Sequence, residues 1–370
     1  MRKVILDSFN SLNHMSLPDQ VFVDAEVAST PLTTRVLDKL PDVPVKFLND
    51  NQEIISENIS ADRTILYLKN YRGKFLRPCP ATKIYRCCAY QIIHIGENCP
   101  LNCSYCILQA YFQDRILKVW ANQDHLWSEL DQAFSRPKQR FRVGTGEFTD
   151  SLALEHLTEY SADLIRFIND YPNVRLELKS KVINLSWMDQ AHMPEKILPA
   201  WSVNSPDIIA AEEKGASSLE ERLIAARTCA DQGFRVCLHF DPIIHYPGWE
   251  RGYARTIEMI FDHLQAKQIA YVSLGSFRFM PWLKKIIAVN HPSSSYIYNE
   301  YITGMDGKTR LLLPLRIAQF RFIAQGLKQG GMSDQIYFCM ESDNVWKSVL
   351  GYTPDRYGGL GRHLMKLSFQ

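Results

Sequence analysis

The sequence predicts an α/β protein built on a partial barrel of six βα units, with N- and C-terminal extensions. Two observations carry this expectation. From residue 90 to about residue 280, short extended runs alternate with longer helical patterns. Three of those runs also carry one apolar and one polar face, which a closed barrel with an apolar interior would not need.

The bulk properties agree with a folded enzyme-sized chain. Its 370 residues hold 42 Lys+Arg against 40 Asp+Glu, a net charge of +2, with 46% hydrophobic residues. Such a composition excludes a disordered or collagen-like chain and a strongly basic nucleic-acid binder. No apolar run reaches the ~18 residues of a membrane span. The opening MRKVILDSFNSLNHM lacks the apolar core of a signal peptide, so a cytoplasmic location without a membrane partner is expected. Nine cysteines, an odd count, argue against a disulfide framework.

Residues 1–89 contain Pro18, Pro31, Pro41 and Pro44 and no βα rhythm, which predicts a small accessory region. Strands are expected at 90–95, 140–144, 174–180, 199–204, 234–240 and 271–277. A helix is expected from Cys106 toward the 120s or 130s, and others over 151–170, from Ser217 and from Trp249. Ser218 and Glu221 have capping-box spacing, and Gly233 marks the end of that helix. Beyond residue 280 the rhythm changes: 281–370 reads as a C-terminal extension, with a helix after Pro314 and a last strand at 336–340.

Strand faces point to a polar lumen. Arg175, Glu177 and Lys179 share one face, as do Ser202 and Asn204, and Arg235, Cys237, His239 and Asp241. These faces either line a wet cavity that holds a polar ligand or lie on solvent-exposed edge strands; the cavity is the preferred reading.

The strongest chemical signal is Cys99-Pro-Leu-Asn-Cys103-Ser-Tyr-Cys106, directly after the first barrel strand. Three thiolates in one loop can hold a four-iron cluster and leave one iron open. A structural zinc ion would need a fourth ligand from elsewhere, a remote Cys or His.

This Cx3Cx2C loop in a partial barrel resembles the signature of radical S-adenosylmethionine (SAM) enzymes. The resemblance implies a [4Fe-4S] cluster on Cys99, Cys103 and Cys106 that binds SAM and cleaves it to methionine and a 5′-deoxyadenosyl radical. Within that superfamily the sequence is most similar to the spore photoproduct lyase family. The segments CSYCILQAYF, DSLALEHLT, WSVNS, SSLEERLIAARTCADQGFRV and IIHYPGWERGY carry the likeness over about residues 85–290. By position it implies SAM contacts from Tyr105, Gly144, Gly146, Glu147, Thr149, Asp150, Lys179, Ser202 and Asn204, with Lys179 suited to the SAM carboxylate.

Two departures bear on the chemistry. The family's lyases use a cysteine as hydrogen-atom donor where this chain has Glu147, and a second tyrosine where it has Ile107. A carboxylic acid does not donate a hydrogen atom as a thiol does; Glu147 suits an ammonium or a proton transfer instead. Tyr105 remains as a relay candidate, and Cys237 is the expected substitute donor, unless it is simply a buried thiol. Cys79, Cys87, Cys88 and Cys339 could gather as ligands of an auxiliary metal or cluster. The expected partners are a cellular one-electron reductant and, from the family name, damaged DNA. Arg278, Lys284 and Lys285 in FRFMPWLKK are candidate phosphate contacts. The alternative is a non-catalytic iron–sulfur or zinc protein that binds nucleic acid. Oligomeric state is not legible.

Overall fold

The computed structural model describes residues 17–49, 64–82, 84–112 and 114–370, so the stretch MRKVILDSFNSLNHM lies outside the described residues. In chain order the strands are β1 Gln20–Asp24, β2 Val45–Leu48, β3 Ile65–Lys69, β4 Leu76–Pro78, β5 Gln91–Ile93, β6 Gly96–Glu97, β7 Asn102–Cys103 and β8 Leu117–Trp120. Then come β9 Phe141–Gly144, β10 Val174–Ser180, β11 Ile197–Ser202, β12 Glu213–Lys214, β13 Val236–Ile243 and β14 Ile269–Ser276. The last are β15 Arg278–Phe279, β16 Tyr301–Thr303, β17 Thr309–Leu311 and β18 Ile336–Phe338.

Eight of these form one curled sheet in the order β18-β14-β13-β11-β10-β9-β5-β4. All pair in parallel except β4, which runs antiparallel to β5. The sheet is a half-barrel; its edge strands β4 and β18 do not pair, and a single bridge, Arg86 to Glu341, links the segments that follow them. The six expected barrel strands are all present, and the 336–340 run supplies a seventh parallel strand, β18.

Local rules explain the helix starts. Ser218 Oγ accepts from Glu221 N at 3.3 Å, while the Glu221 carboxylate accepts from Ser218 N at 2.7 Å, and the helix Leu219–Asp231 follows. Ser205 caps the helix Pro206–Glu212, whose proline occupies the first turn where no N–H is needed.

Two helices differ from the sequence expectation. After Cys106 the helix lasts only from Leu108 to Tyr111, and the chain then extends as β8. Leu117, Val119 and Trp120 are buried there, so burial in a second sheet outweighs any local helical preference. The expected helix over 151–170 is split into Glu155–Thr158 and Tyr160–Ile168 at Glu159, whose backbone is left-handed with φ 48°.

That second sheet has the order β2-β1-β3-β8-β6, and the helix Pro31–Asp38 crosses between the parallel strands β1 and β2. Pro31 stands at the start of this helix behind the Thr30 cap, so Pro31, Pro41 and Pro44 sit within a βαβ unit that Pro18 precedes. Arg35 to Asp163 at 2.9 Å and Lys39 to Glu159 at 2.6 Å hold the unit against the barrel helix Tyr160–Ile168.

The polar strand faces do point inward, yet they divide by depth. Near the strand starts, the last residues of the chain close the barrel: the Arg175 guanidinium lies 3.9 Å from the Phe369 ring centre and Arg235 donates to Leu367 O at 2.8 Å. Midway, Glu177 is 2% exposed and accepts from Tyr90 at 3.2 Å and from Tyr271, with His239 at 3.3 Å and Arg142 at 4.0 Å. This is a closed polar core. The lumen opens into a pocket at the C-terminal ends of the strands.

Candidate active site

The cysteine loop is pinned from below. β7 pairs antiparallel with β12, which sets Cys103 against Glu213 and Asn102 against Lys214. Ser104 donates to the Glu212 carboxylate at 2.5 Å, and the Tyr105 hydroxyl donates to Glu213. Glu213 in turn holds the fully buried Arg222 at 2.5 Å. A buried carboxylate with its partners in place fixes the loop's direction.

All nine cysteines are free thiols. Burial raises the pKa of Cys99, Cys103 and Cys106, and the Lys181 ammonium offsets part of that rise at the latter two. The three line one pocket. Among the described residues no three His, Cys, Asp or Glu side chains close on a single ion-sized point. Thiolates of a four-iron cluster each bind a separate iron, so their sulfurs need not meet at one point. The donor set therefore fits such a cluster: three free sulfurs from one rigid loop, facing a cavity beside a lysine.

The pocket they share measures about 240 Å³ and sits at the C-terminal ends of the strands. Its far wall is the loop after β9. Gly146 lies so close to β10 that a Cβ would stand 2.9 Å from Lys179 O, which explains the glycine. Glu147 and Lys179 project into the pocket and pair at 2.8 Å. Burial opposes the lysine's charge, but Glu147 outweighs it and raises the Lys179 pKa. Thr149 and Ser202 also line the cavity.

Several expected contacts do other work. Gly144 does not line the pocket; it is buried in β9 under the Tyr90 hydroxyl, where any side chain would collide. Asn204 lies beyond the pocket and binds Pro242 O at 3.0 Å and Tyr253 at 2.7 Å, tying β11 to its neighbours. Asp150 reaches the cavity, yet its carboxylate accepts from Leu152 N, Ala153 N, Ser180 Oγ and Lys181 N at 2.7–3.0 Å. It clamps the loop to the end of β10. Cys237 is fully buried and outside the pocket, two strand positions below His239 and four below Asp241. That depth removes it as a donor to a bound substrate.

Other residues reach the site that the sequence does not place there, Cys79 and Arg278 being expected in other roles. Lys181 lines the pocket over the Tyr105 ring, donates to Ser202 Oγ at 3.3 Å, and makes no ion pair among the described residues. Its signal was the continuation of β10's inward period past Lys179. Cys79 and Tyr111 line the same cavity near Glu147. Lys308 and Met340 arrive from the C-terminal extension, which no local pattern announced. Arg278 points inward and pairs with Asp241 at 3.3 Å, whereas Lys284 is exposed over the Tyr298 ring.

The four remaining candidate thiols lie near enough to act on one another electrostatically, Cys88 and Cys79 each raising the pKa of Cys87 and Cys339. Cys79 faces the pocket; Cys339 Sγ accepts from Arg278 at 3.3 Å. The hydrogen bond with Cys87, helped by Arg142 nearby, outweighs burial and lowers the Cys88 thiol below its ordinary value, while Cys87 is raised.

A parallel half-barrel with a three-cysteine loop over its open end is the architecture of a radical SAM enzyme. The family model described as spore photoproduct lyase matches residues 17–306. The chain belongs to the spore photoproduct lyase family and is a lyase-like radical SAM enzyme. It is 23% identical over 291 residues to the spore photoproduct lyase of Geobacillus sp. (strain Y412MC61), covering 77% of this chain and 85% of that one. Against the Bacillus subtilis (strain 168) lyase the identity is 21% with the same coverage. A spore photoproduct lyase structure with bound AdoMet and dinucleoside spore photoproduct shares the fold, with a TM-score of 0.75 and 20% identity over 89% of this chain and 99% of that one. Family membership favours an enzyme over a non-catalytic iron–sulfur or zinc protein. No helix among the described residues is long and apolar enough to cross a membrane.

Proposed function

We propose that the protein holds a [4Fe-4S] cluster on Cys99, Cys103 and Cys106, binds SAM in the adjoining pocket, and acts on a thymine lesion in DNA of the spore-photoproduct kind. The observation that carries this is a single cavity lined by three free thiols together with Glu147, Lys179 and Lys181. When bound, the cluster and SAM supply a carbon-centred radical that can take hydrogen from a substrate.

The chain's own residues position and finish the reaction. Glu147 is suited to the SAM ammonium and is held by Lys179. Lys181, without a carboxylate partner and nearest the thiols, is better suited to the SAM carboxylate than Lys179. Tyr105 is tied to Glu213 and supports the loop. Cys79 is the pocket thiol placed to return a hydrogen atom to a substrate radical, with Tyr111 beside it. An auxiliary cluster on Cys79, Cys87, Cys88 and Cys339 is not part of this reading, because Cys79 is needed in the pocket.

The test is anaerobic reconstitution followed by three measurements. Iron and inorganic sulfide should be bound, and reductant with SAM should release 5′-deoxyadenosine; Cys103→Ala should abolish both. Ultraviolet-irradiated DNA carrying the lesion should then return thymine, while undamaged DNA should not change. Active SAM cleavage without thymine release would overturn the substrate; bound zinc with negligible sulfide would overturn the cluster.

A further inference from the structure

The cysteine loop has a second face. Behind it lies a cleft of about 660 Å³, walled by the loop on one side and by Trp282, Ile286 and Asn290 on the other. Cys99, Leu101, Cys103, Cys106 and Leu108 line both this cleft and the SAM pocket. One layer of side chains therefore separates the proposed cluster position from an outer surface.

We propose that this outer cleft is the docking site of an acidic one-electron carrier protein. The inference rests on the cluster reading above and adds where the electron enters. In the transfer the carrier is oxidised by one electron and the cluster is reduced by one; no bond forms or breaks and no proton moves at the loop.

Charge and shape both favour such a partner. Arg115 lines the cleft and is exposed; Lys214 is exposed on β12, directly opposite Asn102 of the loop. Neither forms an ion pair among the described residues. Both act on one neighbour: burial, then Lys214 and Arg115, hold the His291 pKa below its ordinary value. Asp114, the carboxylate in the cleft, is already bound by Lys118 at 2.9 Å. Among the described residues the uncompensated charge at the cleft is positive, which attracts an acidic surface and speeds encounter. Trp282 is 52% exposed at the rim and gives an aromatic anchor of the kind that dominates protein interfaces. Asn290 donates to Gln109 at 3.2 Å, which fixes the helix Leu283–Asn290 to the cysteine loop and keeps the cleft's two walls in register.

The test uses the reconstituted holoprotein with a reduced acidic two-iron ferredoxin as probe, and dithionite as a small reductant that needs no docking. Arg115→Glu with Trp282→Ala, both on the cleft and away from the loop's β12 support, should cut ferredoxin-driven 5′-deoxyadenosine formation about tenfold or more at low salt. Ferredoxin affinity, measured by titration in the absence of SAM, should weaken by a similar factor. Dithionite-driven cleavage should stay within about twofold of wild type, since neither residue touches the pocket. Equal ferredoxin rates and affinities in variant and wild type would overturn the docking site. So would a variant that loses DNA binding while keeping ferredoxin affinity, because the face would then belong to nucleic acid. If wild-type protein cleaves no SAM even with dithionite, the cluster reading fails and the docking proposal falls with it.

Discussion

Glu147 and Cys79 illustrate how far residue identity alone carries the chemistry. At position 147, where the resemblance to the family's lyases implies a thiol, a carboxylate pairs with Lys179 at 2.8 Å. Glu147→Gln removes one charge from a charge-assisted pair; the expected result is SAM affinity weakened by about 1.5–3 kcal/mol, roughly tenfold or more, read by equilibrium binding. In the proposed reading the hydrogen-donor role falls to Cys79, a pocket thiol that the sequence pattern offers only as an auxiliary metal ligand. Cys79→Ala is expected to keep 5′-deoxyadenosine release near wild type while lesion conversion drops by at least an order of magnitude. A variant that converts lesion normally would show the hydrogen comes from elsewhere. Cys237, the donor expected from the strand face, fails for a positional reason: period two gives the face of a residue but not its depth along the barrel axis. Lys181 was missed for the same reason, since the strand ends and the inward period continues into the loop.

At the scale of elements, the loop after β9 depends on Asp150 and Gly146. The Asp150 carboxylate receives four donors, three of them backbone N–H groups. Asp150→Ala should destabilise the protein by about 2–4 kcal/mol in urea unfolding, as several buried donors lose their acceptor together. Weak SAM binding should accompany that loss, because Glu147 rides on the same loop. Ser218→Ala belongs to a different class: it removes one reciprocal helix cap and should cost about 1 kcal/mol, leaving SAM cleavage unchanged. The capping box was legible because its partners are three residues apart. The break at Glu159 was not, since helical period persists on both sides and only the left-handed backbone separates the two helices.

The whole barrel is laced through Glu177, which joins β10 to Tyr90, Arg142 on β9, His239 on β13 and Tyr271 on β14. Burial alone would raise its pKa, but His239, Arg142 and Tyr271 outweigh it and hold the carboxyl at about 2. A depressed carboxylate contributes stability that is present above its unfolded value of 4.5 and is lost as pH falls toward 2. Glu177→Gln should therefore flatten the acid limb of stability against pH between those values. At neutral pH it should lower stability by about 3–5 kcal/mol, because buried partners are left unpaired. A variant with an unchanged acid limb would assign the titration to another group.

Sequence by itself determined the half-barrel, its strand order of appearance, the cysteine triad and the inward polar faces. Each is written in short-range periodicity or spacing, which local sterics and alternate burial enforce. Tertiary structure alone decided which polar residues reach the open end, that Cys79, Lys308 and Met340 join them, and that β8 leaves the barrel for a second sheet. Those outcomes depend on contacts between segments tens to hundreds of residues apart, and no local pattern encodes the distance at which a side chain finally meets its partner.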